Sequence, residues 1–388
     1  MNVKQAYPLA NQVFSEVTGK TVVLAEDLSD IVTIGKDVTA LPNWMDNYVG
    51  SVFNVIGQTL FLDRPYEGRT PSMMKRSNEY GSIIRKIDAE VGDFTANESW
   101  DLQDGAVYEQ DKFTKPNVRV KLFNQALTYE LANSIAEMQI KESLTSADEL
   151  VRFFSMIETM IRNKDTKTAD SLMQRAINNF IAETIYDEYA GAALSSKSGV
   201  RAVNLFYLYK QDFPSSTLTA STCLKDPDFL RYATQKIKLY PDRMRDYSTL
   251  FNIEGKERHT PASMLHTIFL DEFVSDAGTY LANANGQFLT ENLQLPNAEK
   301  VSYWQGSGTD YAFSSTSSIN VTSSENHSVE ASGIIGVMFD DEAAFVSNLD
   351  RHVRSHVNDR AEFVNFWYKT KFGLVNDFQE NFVVFFVA

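Results

Sequence analysis

The sequence predicts an α+β protein with a discontinuous domain, and three observations carry that prediction. Two segments alternate apolar and charged residues on either side of a polar stretch, as the strands of a long hairpin do. A capped apolar periodicity beginning at Ser146 reads as a long helix. The sequence closes on Phe382, Val383, Val384, Phe385, Phe386, Val387 and Ala388, an uninterrupted apolar run. Such a run needs burial on both faces and is therefore expected as a central strand, completing a core whose other parts lie far upstream.

Along the chain, residues 1 to about 60 mix short helical and strand-like pieces, "LPNWMDNYVGSVFNVIG" being the most apolar. The break "DRPYEGRTP" follows. In "SIIRKIDAEV", Ile83, Arg85, Ile87, Ala89 and Val91 share one strand face and Ile84, Lys86, Asp88 and Glu90 the other. Residues 92–115 are polar and turn-rich, and "NVRVKLFNQALTYEL" is expected as the returning strand. A lone ribbon is marginal in water, so this hairpin should pack on something else, a second subunit included. The stretch "LANSIAEMQIKESL" reads as a short helix. From Ser146, with Glu149 three residues on, Leu150, Phe153, Phe154, Ile157 and Ile161 form one stripe, which Leu172, Met173, Ala176, Ile177 and Phe180 resume after "RNKDTKT". That is one very long helix or two meeting near Asp165. Beyond it, "DPDFLRYATQKIKLY" and "PASMLHTIFLDEFVSDAGTYLA" are helical or α/β, and 302–332 is a Ser/Thr-rich loop or irregular β region. Past Gly333, "GIIGVMFDDEAAFV", "RAEFVNFWYKTKFGLV" and "ENFVVFFVA" are strand candidates.

Composition narrows the function. With 51 acidic against 36 basic residues the net charge is -15, which argues against non-specific nucleic-acid affinity built on Lys and Arg. The single cysteine, Cys223, excludes intrachain disulfides and multi-cysteine metal patterns and fits a reducing compartment. No signal peptide or membrane span is expected.

The search for catalytic, cofactor-binding or metal-binding residues yields none. "TGKT" at Thr18–Thr21 has Phe14 where a phosphate loop needs its first glycine. Gly306 and Gly308 lack a third glycine, and "LANANGQF" places Leu281 at the first calcium-ligand position. His352 and His356 could share a helix face, but arginines surround them. Asp340, Asp341 and Glu342 are expected in a solvated turn.

Three blocks, "KFTKPNVRVKLFNQ", the helix from Ser146, and "RAEFVNFWYKTKFGLVNDFQENFVVFFVA", together resemble the major capsid proteins of tailed phages, which have the Hong Kong 97 phage-type fold. The flavour is that of short-tailed podoviruses. Arg360, Asn365, Trp367, Tyr368, Asn381 and the Val383–Phe385 strand carry most of the likeness.

The resemblance implies an N-terminal arm and start of a peripheral domain (1–64), an extended hairpin (65–116), a peripheral domain with a spine helix (117–181), an axial domain (182–333), and a return to the peripheral domain (334–388). In that arrangement the terminal strand would pair beside strands near Val118. The hairpin would lie across a neighbouring subunit, with Ile83, Arg85, Ile87, Phe94, Trp100, Tyr108 and Phe113 as expected contacts. The implied role is non-enzymatic: a capsid subunit forming hexamers and pentamers of an icosahedral shell around double-stranded DNA. It would assemble in the host bacterial cytoplasm with a scaffolding protein and a portal, without cofactors, membrane or sequence-specific DNA binding. Lys75 or Lys86 with Asn358 are the candidates the resemblance implies for the isopeptide cross-link some family shells form. Two other readings remain: an encapsulin nanocompartment, which shares the fold, and a cytosolic hydrolase or ligand-binding protein using residues 182–333.

Overall fold

The computed structural model describes residues 3–63, 70, 73–76, 84–90, 99, 101–108, 111, 115, 117–124, 126–285, 298–305, 316–323 and 325–388. Ile83, Phe94, Trp100, Phe113, Gly306 and Gly308 lie outside the described residues.

Three helices open the chain: α1 (Val3–Thr18), α2 (Ile31–Thr39) and α3 (Trp44–Asp63). The expected arm is thus a packed helical layer. Ala6, Ala10, Val13 and Phe14 of α1 and Tyr48, Val49, Val52 and Phe53 of α3 are fully buried, at the i, i+3, i+4 spacing of a core-facing stripe. Short β1 (Met74–Arg76) leads to β2 (Ile84–Glu90) and β3 (Asn117–Phe123), which pair antiparallel. The expected returning strand is in fact two. After β3 a separate β4 (Ala126–Ala136) leaves the hairpin for another sheet, and it runs through "LANSIA", where the sequence suggested helix. Only α4 (Glu137–Ser143) of that stretch is helical. Pairing along all of β4 with a long partner strand overrides the local helix preference.

The helix from Ser146 is unbroken. In α5 (Ala147–Tyr189, 43 residues) the Ser146 hydroxyl accepts a hydrogen bond from the Glu149 backbone N–H at 3.3 Å, capping the first turn. At 1.5 Å per residue it is about 64 Å long. Its first stripe, Leu150 to Ile161, lies in one core and its second, Ala169 to Tyr189, in another. The polar "RNKDTKT" crosses between them. There Asp165 accepts from the Tyr368 hydroxyl at 3.2 Å and pairs with Arg351 at 3.4 Å, and burial pushes its pKa up despite the arginine.

The remaining elements are β5 (Ala202–Asn204), α6 (Leu205–Asp212), α7 (Pro227–Arg245), β6 (Leu265–Leu270), α8 (Asp271–Asn285), β7 (Ala298–Val301), β8 (Ile319–Thr322), β9 (Ser328–Ala331), β10 (Ile334–Asp340), β11 (Ala344–Asn358), β12 (Phe363–Asn376) and β13 (Phe382–Phe386). Two sheets result. One has the order β1-β11-β12-β4, the other β5-β13-β10-β6-β7. In the first, β12 alternates, with Val364, Phe366, Tyr368 and Phe372 turned inward. In the second, β6, β10 and β13 are buried at every residue.

The terminal strand is central, as its composition requires, but its neighbours differ from those the resemblance implied. It pairs parallel with β5 (Val384↔Ala202) and antiparallel with β10 (Val383↔Met338), while the Val118 strand pairs with β2. The reason is burial. A strand apolar on both faces needs cover on both, which β10 and β6 share and the charged, alternating β3 does not provide. Residues 334–388 therefore serve both sheets. Gly333, at φ +75°, lets the chain pass beneath the end of β13; a Cβ there would stand 2.0 Å from the Val387 carbonyl oxygen.

Two further expectations change. His352 and His356 lie on β11, a strand, both exposed. Asp340 is buried rather than solvated, accepting from the Thr260 hydroxyl at 2.8 Å, and burial raises its pKa.

Candidate assembly interface

The β2–β3 ladder sets Arg85 opposite Leu122 and Ile87 opposite Val120, and on the other face Ile84 opposite Phe123 and Lys86 opposite Lys121. Strand sequences of this kind ordinarily bury the apolar face and expose the charges. Here the order is reversed. The charged face turns to the body, and the apolar face is left open: Ile87 is 64% exposed, Val118 53%, Val120 55% and Leu122 55%. Full burial of such a side chain stabilises by roughly 1.5–3 kcal/mol, so this row forgoes several kcal/mol in the isolated chain.

Charge holds the other face. Asp377, fully buried, takes Lys86 Nζ on one carboxylate oxygen and Lys121 Nζ on the other, each at 2.8 Å. Glu380 pairs with Lys86 at 2.6 Å and with Arg258 at 3.3 Å, and Glu254 pairs with Lys121 at 2.9 Å. Among the described residues, apolar contact is at the root, where Ile84 lies over Gly373: a Cβ on that glycine would meet Ile84 Cδ1 at 3.3 Å and Ser347 Oγ at 2.9 Å. Lys86, Arg119, Val120, Lys121 and Gln379 line an open cleft of about 390 Å³ beside it.

Burial alone would lower both lysine pKa values, but the Asp377 charge and the hydrogen bonds to Asp377, Glu380 and Glu254 outweigh it and hold both above the ordinary lysine range. Burial would raise Asp377, and the two lysines outweigh it in turn and keep it below the ordinary carboxylate value. Asp377 therefore contributes stability above the unfolded carboxylate pKa and loses it as pH falls through its depressed value. The lysines contribute below the unfolded lysine pKa and lose it as pH rises through their raised values. Arg119, Arg258, Glu254, Glu380 and buried Asp340 face the same cluster. The stability difference between the native chain and Asp377→Asn should be flat from about pH 5 to about pH 9, and should close below about pH 4. Paired thermal melts across that range measure it; a difference that persists at the acid end would show that Asp377 is not acting through its charge.

Of the contacts expected from the sequence, Arg85 and Ile87 lie on the open face, and Tyr108 is exposed, its hydroxyl accepting from the Gln103 N–H at 3.1 Å. Val118, Val120 and Leu122 were visible as an alternation, but only the register joins them to Ile87 in one row. Lys86, a cross-link candidate, is held in ion pairs. A second open surface is the outward face of β11, β12 and β4, where Arg354 pairs with Trp367 and Trp367 with Ala132, flanked by Lys369–Glu130 at 3.2 Å.

A third cluster has the residue types of catalysis without the geometry. Glu183 accepts from the Ser323 hydroxyl and lies 3.0 Å from His327 Nδ1, with Tyr186 stacked on His327 at 3.7 Å. The carboxylate stands between hydroxyl and imidazole, so the imidazole cannot take the serine proton. The cluster instead fastens the β8–β9 hairpin to α5.

The family model for Phi29-like phage major capsid proteins matches residues 10–386. The chain belongs to that family. Its role is that of a structural subunit of the virion shell, and its spine helix, hairpin and two larger sheets are the parts that the resemblance to the Hong Kong 97 phage-type fold implied. The capsid reading is thereby favoured over the nanocompartment. Among solved structures, the chain is similar to a capsid structure of Staphylococcus phage Andhra (10% identity, TM-score 0.48, covering 85% of this chain and 87% of that one). It is also similar to the mature capsid of bacteriophage PhiM1 (10% identity, TM-score 0.43, covering 83% and 86%). No curated protein matches the sequence.

Proposed function

We propose that this major capsid protein assembles through hexamers and pentamers into an icosahedral shell around double-stranded DNA, each hairpin lying across a neighbouring copy. One observation carries the reading: the row Ile87, Val118, Val120 and Leu122 has its charged side tied down and its apolar side open. A row of this kind gains nothing at home and several side chains' worth of burial on a partner. The outward sheet face around Trp367 is the receiving surface. In this reading the β1-β11-β12-β4 sheet with the first half of α5 forms the peripheral domain, and residues 182–333 build the axial domain. The five-stranded sheet then draws β10 and β13 from the returning segment.

Family membership supports a scaffolding protein and a portal as partners, assembly in the bacterial cytoplasm, and a podovirus-like particle. The net charge of -15 lets packaged DNA pass without sticking. The test is negative-stain microscopy of the purified chain, with and without its scaffold: closed shells of uniform diameter are expected. A stable monomer under every condition, forming neither capsomers nor shells, overturns the proposal.

A further inference from the structure

Among the described residues, little apolar packing fixes the direction in which the hairpin leaves the body. Beyond Ile84 on Gly373, its root is held by Lys86 and Lys121 on one side and by Asp377, Glu380 and Glu254 on the other. The two lysines stand directly opposite each other in the ladder. Like charges in that position repel unless an anion sits between them, and Asp377 is that anion.

Its place in the chain matters as much as its charge. Asp377 and Glu380 lie in the turn joining β12 of one sheet to β13 of the other. The segment after α7 that carries Glu254 and Arg258 is pinned to the same turn: the Ile253 and Glu254 N–H groups donate to the Phe378 carbonyl at 3.2 and 3.3 Å, and the Phe382 N–H to the Phe251 carbonyl at 2.8 Å. Gln379 Nε2 donates to Glu254 at 2.7 Å.

We propose that this ion cluster is a latch: Asp377 binds both hairpin strands to the turn that joins the two sheets, and its loss frees the hairpin while both cores stay folded. Among the described residues, release parts charged side chains and the contact of Ile84 on Gly373, and because no residue of β2 or β3 belongs to either apolar cluster both cores keep their packing. Without Asp377, the charges of Lys86, Lys121 and Arg258 exceed those of Glu380 and Glu254, and the root repels itself. The latch is a property of the single chain and holds whether or not the hairpin docks on a neighbour in a shell.

The test uses spin labels on Val118→Cys, on the open hairpin face, and Met156→Cys, on the exposed side of α5, in dilute unassembled full-length chain. Cys223 does not compete for label, being buried with its thiol pushed up to about 12. The native background should give one narrow distance distribution. Asp377→Asn should broaden it and speed amide exchange in β2 and β3 by about an order of magnitude, with exchange in β10 and β13 unchanged. A folded Asp377→Asn chain that keeps the narrow distribution overturns the latch. Should that variant not fold, Lys86→Met with Lys121→Met removes the same bonds from the hairpin side, and an unchanged distribution there overturns it equally.

Discussion

Deleting residues 382–387 is expected to leave the protein insoluble. The strand lost lies between β5 and β10, so its removal unpairs an edge on each and opens the largest core. Phe382 stacks on Phe180 at 4.3 Å and Phe339 at 5.7 Å, Phe385 meets Tyr240 edge-on at 5.0 Å, and Phe386 meets Tyr189 at 5.8 Å. Each buried Phe is worth about 3–5 kcal/mol against its truncation, and a typical domain has only about 5–15 kcal/mol to lose. Phe385→Ala alone should therefore lower the melting temperature by many degrees, and the full deletion should appear only in the pellet. A truncated chain that stays soluble and assembles would disprove the central role of β13.

The second large effect is on assembly with folding spared. Replacing residues 89–114 by a short Gly/Ser turn keeps Lys86 and Lys121 on Asp377 and keeps Ile84 on Gly373, so the described contacts between hairpin root and body remain. Circular dichroism and the thermal midpoint should stay close to native. Shell formation should fail, because every subunit loses the same contact and a closed symmetric particle repeats that loss at each copy. Sedimentation beside thermal melts separates the outcomes. A clear drop in melting temperature would place the hairpin's main contacts at home, and normal shells from the shortened chain would show that the hairpin is not the tie.

What could be read from the sequence was whatever local pattern dictates. Ser146 with Glu149 marked the start of α5, and "FVVFFV" marked a strand covered on both sides. The polar "RNKDTKT" left open whether the helix breaks, since a solvated hinge and a crossing between two cores have the same composition. Only the packing of Asp165 on Tyr368 and Arg351 decides it. Partner choice was hidden. Nothing near Lys86 announces Asp377, 291 residues away, and nothing in "LANSIA" announces β12. Of the interface, the alternation on each strand was legible, whereas the inversion that turns charge inward and Val118, Val120 and Leu122 outward follows from carboxylates supplied by the far end of the chain.

Those separations also bear on how long the chain takes to become a subunit. β1 meets β11 at Met74↔Val346, β5 meets β13 at Ala202↔Val384, and β4 meets β12 at Leu131↔Tyr368. Closing such loops costs entropy before any contact rewards it, which sets the protein among slow folders of high contact order. Until β12 and β13 arrive, β4, β5 and β10 present open, adhesive edges. In an infected cell making these subunits in large numbers, the concentration of half-finished chains would set a ceiling on capsid yield, and relief by a folding chaperone would matter most in the interval before β13 slots between β5 and β10.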